Sequence, residues 1–380
     1  MNDEYTQLLK KASDRLGKPL PDDTPSPNGR RNPMATIYRP NHTVPKPSAK
    51  VAVEDKKTFF IQDETRVEVS DEDPNILLAL HPELDYQSSV IELKEARALI
   101  ATGGIHLSAD ALTTLLNSEV PVIFFDRNGG FLGRIEPKHS IRSDLLHAQA
   151  TFPAEDCLKF GKFVTWGMLR NVRGFLSRHS RSKEGDFKAA VLTIDQDLHE
   201  IFKSTSPLQL FGYQGRGMKI YYELFEEMLS YKGWGFQREK RNNPLNRMLN
   251  FVHSLFVESA HTALIAAGLN PQFGLLYRDK GLSHDLAAEY RSVANAIVIS
   301  CINHQQISLN DFDEAWDKKL LPVRVAKILL NAYENKMSRC FKYPFLGFRC
   351  SYQESFFIQA QQIALLLSRE IEEYCPLSWR

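Results

Sequence analysis

The sequence predicts an α+β protein: a small N-terminal β-rich domain followed by a larger all-α domain, with an extended N-terminal arm. Three observations support this prediction. Prolines crowd residues 1–50, short β-branched and aromatic runs broken by turns occupy 51–140, and apolar residues recur about every 3.6 positions through 141–380. A length of 380 residues provides enough core for two or three domains.

The arm is predicted to be largely irregular. Met1–Leu16 has the apolar spacing of a short amphipathic helix, but few apolar residues follow it. The prolines after it are Pro19, Pro21, Pro25, Pro27, Pro33, Pro40, Pro45 and Pro47. Because proline lacks a backbone N–H and the segment has little to bury, we expect an extended or disordered arm.

The β-rich domain is predicted from apolar runs of strand length. These runs are Val51–Val53, Thr58–Ile61, Val67–Val69, Ser89–Ile91, Leu99–Ala101, Pro121–Asp126 and Phe131–Ile135. Ser108 is a suitable N-cap for a helix that continues to Leu116. Arg127–Gly130 predicts a tight hairpin turn, because asparagine and glycine tolerate positive φ.

The helical domain is predicted from the spacing of apolar residues. One helix contains Phe160–Leu176, and the others cover about 207–231, 244–267, 285–306, 323–335 and 353–374. The five cysteines are widely spaced and form no C-x-x-C pair, which is typical of reduced thiols. The charged N-terminus has no apolar signal region and no run reaches membrane-spanning length, so we expect a cytoplasmic protein without a membrane partner.

Positive charge is concentrated locally. The 47 lysines and arginines nearly balance 46 aspartates and glutamates, which excludes nucleic-acid binding through bulk charge alone. Residues 159–183 nevertheless carry basic side chains and no acid, and Trp166 is predicted on the same helical stripe as four of them. The candidate DNA-binding residues are Lys159, Lys162, Arg170, Arg173, Arg178, Arg238, Lys240 and Arg241. The alternative is a solvated helix face and a solvated loop.

Two groups of titratable residues are candidate metal ligands. Asp285 and Glu289, behind a suitable N-cap at Ser283, are spaced i, i+4 on a predicted helix, where two carboxylates on one face could hold a divalent cation. The alternative is an acidic first turn that favours the helix dipole. His253 and His261 lie eight residues apart, too far for one metal site unless other residues add ligands, and are predicted to be partly buried or interfacial histidines.

Several stretches together resemble the CRISPR-associated spacer-acquisition integrases, a family of metal-dependent DNA nucleases and integrases. The most specific stretch is Asn243–Asn250. The others are 120–134, 145–150, 166–173, 266–271, 274–277 and 285–291, and the order and spacing fit over about residues 55–375. The resemblance implies a dimerising β domain and an α domain in which a cation assists attack of a DNA 3′-hydroxyl on a phosphodiester.

The resemblance also implies where the cation ligands would lie. The family glutamate aligns with Gln214, the family histidine with Tyr277, and the acidic pair with Asp285 and Ala288. An amide oxygen is a weaker ligand than a carboxylate, a phenol has a pKa near 10, and alanine offers no ligand. Glu289 is one residue out of register, which rotates its side chain about 100° around a helix.

Three functional hypotheses follow. The first is a catalytically degenerate homologue that acts as a DNA-binding structural or regulatory subunit and needs no cofactor. The second is an active endonuclease or integrase that uses Mg²⁺ or Mn²⁺ at a rearranged site around Asp285 and Glu289, with His284 or His253. The third is a protein–protein module that binds no nucleic acid. The expected partners are duplex or branched DNA, a second copy of the chain, and the family's small companion subunit or an active paralogue.

Overall fold

The structure is a computed structural model that describes most of the chain after the predicted arm. The described residues are 57–61, 64–80, 89–126, 129–138, 141–179, 186–238, 243–312, 321–343 and 349–378. The arm, Val51–Val53, Lys240 and Arg241 lie outside them. No helix in these ranges is long and apolar enough to cross a membrane.

The N-terminal part contains two four-stranded sheets and one helix. The elements are β1 Lys57–Ile61, β2 Arg66–Val69, β3 Ile76–Leu80, β4 Ser89–Glu92, β5 Ala96–Thr102, β6 His106–Leu107, α1 Ala109–Asn117, β7 Val122–Phe125 and β8 Phe131–Ile135. The first sheet has the order β1-β5-β7-β8 and the second β4-β3-β2-β6. The helix α1 begins as predicted, because the Ser108 hydroxyl accepts the Ala111 N–H at 3.1 Å. The sequence did not predict β3 or β6.

Strand β5 joins the two parts of the molecule. Its side chains alternate between faces, so Leu99 and Ala101 pack in the core of the N-terminal part. Ala98 and Ile100 instead pack in the core of the helical part. The first sheet therefore lies between two apolar cores, which explains why nearly the whole strand is buried.

The predicted hairpin is confirmed by the pairing of β7 with β8. The two strands are antiparallel, with Val122 opposite Ile135. Gly129 has a φ of 79°, and the Gly130 N–H donates to Asp126 Oδ1 at 2.7 Å. A residue with a side chain is strained at this φ, which is why a glycine stands there.

The C-terminal part is mainly helical, and the predicted fold class is confirmed. Its elements are α2 Ser143–Thr151, α3 Ala154–His179, α4 Asp186–Glu200, α5 Pro207–Glu223, α6 Pro244–Ala266, α7 Leu282–Ala287, α8 Arg291–Asn303, α9 Val323–Ser338, β9 Cys340–Lys342, β10 Arg349–Ser351 and α10 Tyr352–Leu367. The helix α4 and the two-stranded ribbon of β9 and β10 were not predicted. The last helix ends at Leu367, well before the predicted 374.

Helix α3 runs through the middle of the helical core. Buried residues occur on most sides of it, because α4, α5 and α8 all pack against it. The prediction that Trp166 lies on the basic stripe was wrong, since its side chain is only 1% exposed. Of the basic residues of α3, Lys159 and Arg178 are exposed, whereas Lys162, Arg170 and Arg173 are half-buried.

A partly buried ionic cluster connects the first sheet to helix α6; we call it the junction cluster. It consists of Arg134 on β8, Glu136 just after it, and Glu258 and His261 on α6. Arg134 forms ion pairs with Glu258 and, at 3.2 Å, with Glu136. His261 Nε2 lies 3.0 Å from Glu136 Oε2. Although burial opposes the shift, His261 and Arg134 lower the pKa of Glu136 to about 2.

Candidate functional site

A cavity of about 920 Å³ opens among the helices at the positions to which the family resemblance assigned the cation ligands. We call it the central cavity. Gln214 on α5, Tyr277 in the loop before α7, and Ala288 just after α7 all line it. His253, His284 and Arg291 also contribute to its wall. The structure thus brings residues 214, 277 and 288 together at one cavity.

Gln214 and Tyr277 bind each other across this cavity. The Tyr277 hydroxyl donates to Gln214 Oε1, and Gln214 Nε2 donates to Thr165 Oγ1 at 2.8 Å. The Tyr277 ring stacks on Phe211, with ring centroids 5.6 Å apart and planes 11° apart. Burial raises the pKa of the Tyr277 phenol to about 12, so it is neutral at physiological pH. The Gln214 amide and the Tyr277 phenol therefore form a neutral, hydrogen-bonded pair.

Asp285 lies beneath the cavity and holds the loop that carries Tyr277. Its side chain is fully buried, and Oδ2 accepts the N–H groups of Leu275 and Leu276 at 2.7 and 2.9 Å. Oδ1 accepts the Tyr277 N–H at 2.7 Å. Burial raises the pKa of Asp285 to about 6, while these three donors act in the opposite direction. The carboxylate therefore organises backbone rather than facing the cavity.

Glu289 faces a different part of the chain. Its Oε2 accepts the Leu377 N–H at 2.8 Å and an N–H of Gln359 at 3.0 Å, and the side chain is fully buried. Burial raises the pKa of Glu289 to about 8. This carboxyl group thus fastens the C-terminal segment to the helical core.

The predicted pairing of Asp285 with Glu289 on one helix face was wrong. Helix α7 ends at Ala287, a 3₁₀ turn covers Ala288–Tyr290, and α8 starts at Arg291. The two carboxylates accordingly bind separate segments of the chain. The predicted N-cap at Ser283 was also wrong, because the cap is Gly281, whose φ of 90° suits a glycine.

Of the three histidines near these residues, His253 and His284 line the central cavity, whereas His261 lies outside it. His253 Nε2 lies 2.6 Å from Asn295 Oδ1, and burial together with the charge of Arg291 lowers the pKa of His253 to about 3. Burial also lowers the pKa of His284. His261 belongs to the junction cluster, so the two histidines of α6 serve different regions, as their spacing predicted.

The donor set of the central cavity does not fit a divalent metal ion. Gln214 offers one amide oxygen, which already accepts the Tyr277 hydroxyl. Asp285 directs both oxygens to backbone N–H groups, and Ala288 has no donor. Hard divalent cations require several oxygen ligands, usually including carboxylates. Within the described ranges, no group of three or more His, Cys, Asp and Glu side chains is arranged to hold a metal.

The candidate DNA-binding residues of α3 are engaged by their own chain. Lys159 donates to the Glu372 carbonyl at 3.2 Å, and Lys162 to the Phe202 carbonyl at 3.1 Å. Arg173 forms a bidentate pair with Asp195, with both distances 2.9 Å. Arg170 is half-buried and has a partner, and Arg178 is exposed, with its guanidinium 5.3 Å from the Phe175 ring centre.

Arg238 lies apart from these residues, against α5 and α6. Its guanidinium is 5.2 Å from the Tyr222 ring centre and donates to Asn246 at 2.7 Å and Asn250 at 3.1 Å. Sequence reasoning missed two residues that contact the Gln214–Tyr277 pair, namely Thr165, which accepts from Gln214, and Phe211, which stacks on Tyr277. Thr165 could have been noticed as a polar residue within an apolar stripe, whereas Phe211 carried no distinguishing signal.

Comparison with known proteins identifies the class to which this fold and cavity belong, namely a family of CRISPR-associated proteins. The family model described as CRISPR associated protein Cas1 matches residues 53–335. Since this match covers most of the chain, the chain belongs to the Cas1 family. The resemblance identified from the sequence is thereby confirmed.

Curated relatives show the same affiliation at moderate identity. A CRISPR-associated endonuclease Cas1 of Leptospira interrogans is 26% identical over 59% of this chain and 94% of its own length. A Cas4/Cas1 fusion of Geobacter sulfurreducens is 25% identical over 74% of this chain, and a Thermus thermophilus Cas1 is 29% identical over 56%. The matched regions cover 54% and 64% of the lengths of these last two proteins.

Solved structures share the fold at low identity. A casposase bound to an integration product has a TM-score of 0.71 and 19% identity, covering 85% of this chain and 94% of that one. A Cas1 protein from Thermotoga maritima has a TM-score of 0.68 and 16% identity, covering 82% and 97%. A chain of a Cas6-RT-Cas1–Cas2 complex has a TM-score of 0.68 and 18% identity, covering 86% and 36%.

Proposed function

We propose that this chain is a catalytically degenerate Cas1 protein that binds DNA as a structural or regulatory subunit of spacer acquisition. The observation that carries this proposal is the hydrogen bond between Gln214 and Tyr277. It joins two neutral groups at positions to which the family resemblance assigned a glutamate and a histidine. Activation of a 3′-hydroxyl and stabilisation of a phosphorane-like transition state would need the charge of a cation there.

The buried carboxylates support the same proposal. A rearranged site around Asp285 and Glu289 would need their oxygens to be available to a cation. Asp285 accepts three backbone N–H groups, and Glu289 accepts the Leu377 N–H and an N–H of Gln359. At Asp285 a metal would have to displace these donors and release the loop that they hold. Glu289 keeps one buried oxygen, Oε1, without a hydrogen-bond partner among the described residues, but a single carboxyl oxygen supplies too few ligands for a hard divalent cation. The active alternative therefore has less support.

Partners are proposed by analogy with proteins of similar fold. One of these is bound to an integration product, and another belongs to a complex that contains Cas2. By analogy, this chain would bind duplex or branched DNA and the small companion subunit. An active paralogue would supply catalysis if the subunit acts in integration.

Dimerisation through the β-rich part belongs to the proposal as well. Val90 on β4 is 52% exposed, and Phe131 and Leu132 on β8 are 45% and 67% exposed. Apolar side chains on sheet edges are typical of surfaces that another chain covers. Light scattering of the purified chain should give the mass of a dimer, and Leu132→Glu should shift it toward a monomer.

The decisive test is a binding and cleavage assay with the full chain on duplex and branched DNA, in Mn²⁺ and in EDTA. We expect affinity that falls steeply with salt and is the same in both buffers, with no cleavage or strand transfer. Mn²⁺-dependent products that disappear in Asp285→Asn would overturn catalytic degeneracy. Absence of salt-sensitive binding would instead favour the protein–protein module.

A matched pair of variants tests the α3 surface. Arg173→Ala removes a cation and should weaken binding and reduce the salt slope by about one. Asp195→Asn removes only the partner of Arg173 and should leave affinity unchanged or raise it. If both variants weaken binding equally, Arg173 acts by holding α3 to α4, and the DNA surface lies elsewhere.

A further inference from the structure

Three cations lie together where helices α3 and α9 end, and we call them the helix-end cluster. They are Arg178 in the last turn of α3, Lys336 in the last turn of α9 and Arg339 at the C-cap of α9. The two arginines are exposed, and Lys336 is half-buried. Basic side chains favour helix C-termini, which explains each residue by itself but not the meeting of three cations from two helices.

The ring of Tyr352, the first residue of α10, lies beside the cluster. Lys336 Nζ is 4.4 Å from the ring centre, and the face of an aromatic ring attracts a cation. Burial raises the pKa of the Tyr352 phenol, while the charges of Arg178 and Arg339 act in the opposite direction. Both arginines therefore lie within electrostatic range of the ring that contacts Lys336.

No described carboxylate compensates these charges. None of the three cations forms an ion pair or a side-chain hydrogen bond with another residue in the parts of the chain that the structure describes. The acids two residues from Lys336 and Tyr352 are engaged elsewhere. Glu334 on α9 accepts from Thr58 and Arg97, and Glu354 on α10 accepts the Ser351 N–H at 2.6 Å. The helix-end cluster is therefore a local surplus of positive charge.

Lys336 bears the energetic cost of this surplus. Burial, followed by the charges of Arg339 and Arg178, lowers the pKa of Lys336 to about 8. Strand β1 and helices α6, α8 and α10 also pack against α9, and no charged group on them acts on this amine. Lys336 thus holds its proton less tightly than an exposed lysine does. An anion beside the amine would reverse the shift, so its binding would be coupled to proton uptake.

We propose that the helix-end cluster binds a phosphate dianion, and that Lys336 takes up a proton on binding. Two guanidinium groups and an ammonium group are donors with which phosphate oxygens form strong, charge-assisted hydrogen bonds. A dianion compensates two of the three charges, whereas one phosphodiester of a DNA backbone compensates a single charge. No residue of the cluster is among the described lining residues of the central cavity. The inference goes beyond the proposed function and does not depend on it.

The test is calorimetric titration of the full chain with inorganic phosphate at pH 8 and pH 9.5, a range in which phosphate is a dianion. We expect binding that weakens roughly tenfold between the two values, because the protonated fraction of Lys336 falls from about one half to about 3%. At pH 8, titrations in buffers of different ionisation enthalpy should show uptake of about half a proton for each phosphate bound.

Variants assign the effect to single side chains. Lys336→Met keeps the apolar stem on Tyr352, and should lower affinity at pH 8 to the level of the unmodified chain at pH 9.5 and abolish the pH dependence. Arg339→Gln should weaken binding roughly tenfold at both pH values. Two controls should bind as the unmodified chain does. Lys327→Met removes an equal charge from an exposed position on the same helix, and Cys340→Ser removes the exposed thiol next to Arg339.

Three outcomes would overturn the proposal. They are no heat from phosphate at millimolar concentration, equal affinity at pH 8 and pH 9.5, and unchanged phosphate affinity in Arg339→Gln. If Lys336→Met does not fold, Arg339→Gln decides in its place, because its side chain is exposed. Inorganic phosphate and glycerol 3-phosphate, titrated in parallel, distinguish a free ion from the phosphate of a small monoester, since the tighter ligand is the occupant.

Duplex DNA separates this inference from the proposed function. We expect Arg339→Gln to lose phosphate affinity and to bind duplex DNA nearly as the unmodified chain does. If it loses duplex affinity while phosphate affinity stays unchanged, the helix-end cluster belongs to the DNA surface. That result would overturn the phosphate site and support the proposed function.

Discussion

The junction cluster and the central cavity are two polar regions of one protein that differ in how their side chains are paired. The first contains ion pairs, and the second contains a neutral hydrogen-bonded pair. In the junction cluster, Arg134 forms ion pairs with both Glu136 and Glu258, and the pKa of Glu136 is lowered to about 2. In the central cavity, Gln214 and Tyr277 form a neutral pair. The fold therefore tolerates enclosed carboxylates where a cation side chain compensates them. The neutrality of this pair is a local property of the site and does not reflect a general intolerance of buried acids.

The largest expected effect comes from breaking the junction cluster. Glu258→Ala leaves Arg134 without one of its two carboxylates in a mostly buried position, and should lower the free energy of unfolding by about 3 kcal/mol. Urea denaturation measures this loss. Glu258→Gln keeps the shape and a hydrogen-bond acceptor, and should lose less. A loss below about 1 kcal/mol for Glu258→Ala would mean that the cluster is not a structural ion pair.

A smaller effect is expected at Glu289, which binds the C-terminal segment. Glu289→Ala removes the acceptor for the Leu377 N–H and should lower the free energy of unfolding by about 2 kcal/mol. Glu289→Gln should cost less at pH 7, because a pKa of about 8 means that the wild-type carboxyl group is already mostly neutral. Glutamine retains an acceptor oxygen and alanine does not. Equal losses for the two variants would therefore show that this oxygen does not contribute to the free energy of unfolding.

The two regions should also respond to pH in opposite directions. Glu289 holds its proton in the folded state up to about pH 8 and loses it near pH 4.5 when unfolded, so its contribution to stability falls as pH rises across that window. Glu136 has a folded pKa of about 2, so its contribution is present above about pH 4.5 and is lost as pH falls toward 2.

Denaturation of Glu289→Gln and Glu136→Gln at several pH values checks these signs. The Glu289 variant should lose the slope between pH 4.5 and 8, and the Glu136 variant the slope below 4.5. The Glu136 effect should be the smaller, about 1 kcal/mol, because its side chain is 31% exposed. A Glu289 variant that keeps the wild-type slope would contradict the burial of that carboxyl group.

The sequence anticipated the order of the two parts and most helices, because apolar spacing records which face of each element is buried. It missed the helix at Asp186–Glu200 and the ribbon formed by β9 and β10. It also predicted that Trp166 lies on the basic stripe of α3, whereas the side chain is buried. A single sequence does not reveal how many neighbours surround one helix, and α3 is enclosed by several. The tertiary context therefore overrode the two-faced pattern.

The candidate site was anticipated in position but not in detail. The family resemblance assigned residues 214, 277 and 288 to one ligand set, and in the structure these residues line one cavity. It could not reveal that Asp285 accepts three backbone N–H groups, or that a 3₁₀ turn separates Asp285 from Glu289. Such contacts depend on loop geometry, which side-chain spacing does not determine.

The most direct test of the central claim is calorimetric titration of Mn²⁺ into the full chain and into the triple variant Gln214→Glu, Tyr277→His, Ala288→Glu. The claim is that these three positions, with their present residues, do not hold a divalent cation. The account predicts no saturable Mn²⁺ binding by the unmodified chain and measurable binding by the triple variant. Stoichiometric Mn²⁺ binding by the unmodified chain, abolished by Asp285→Asn, would contradict it.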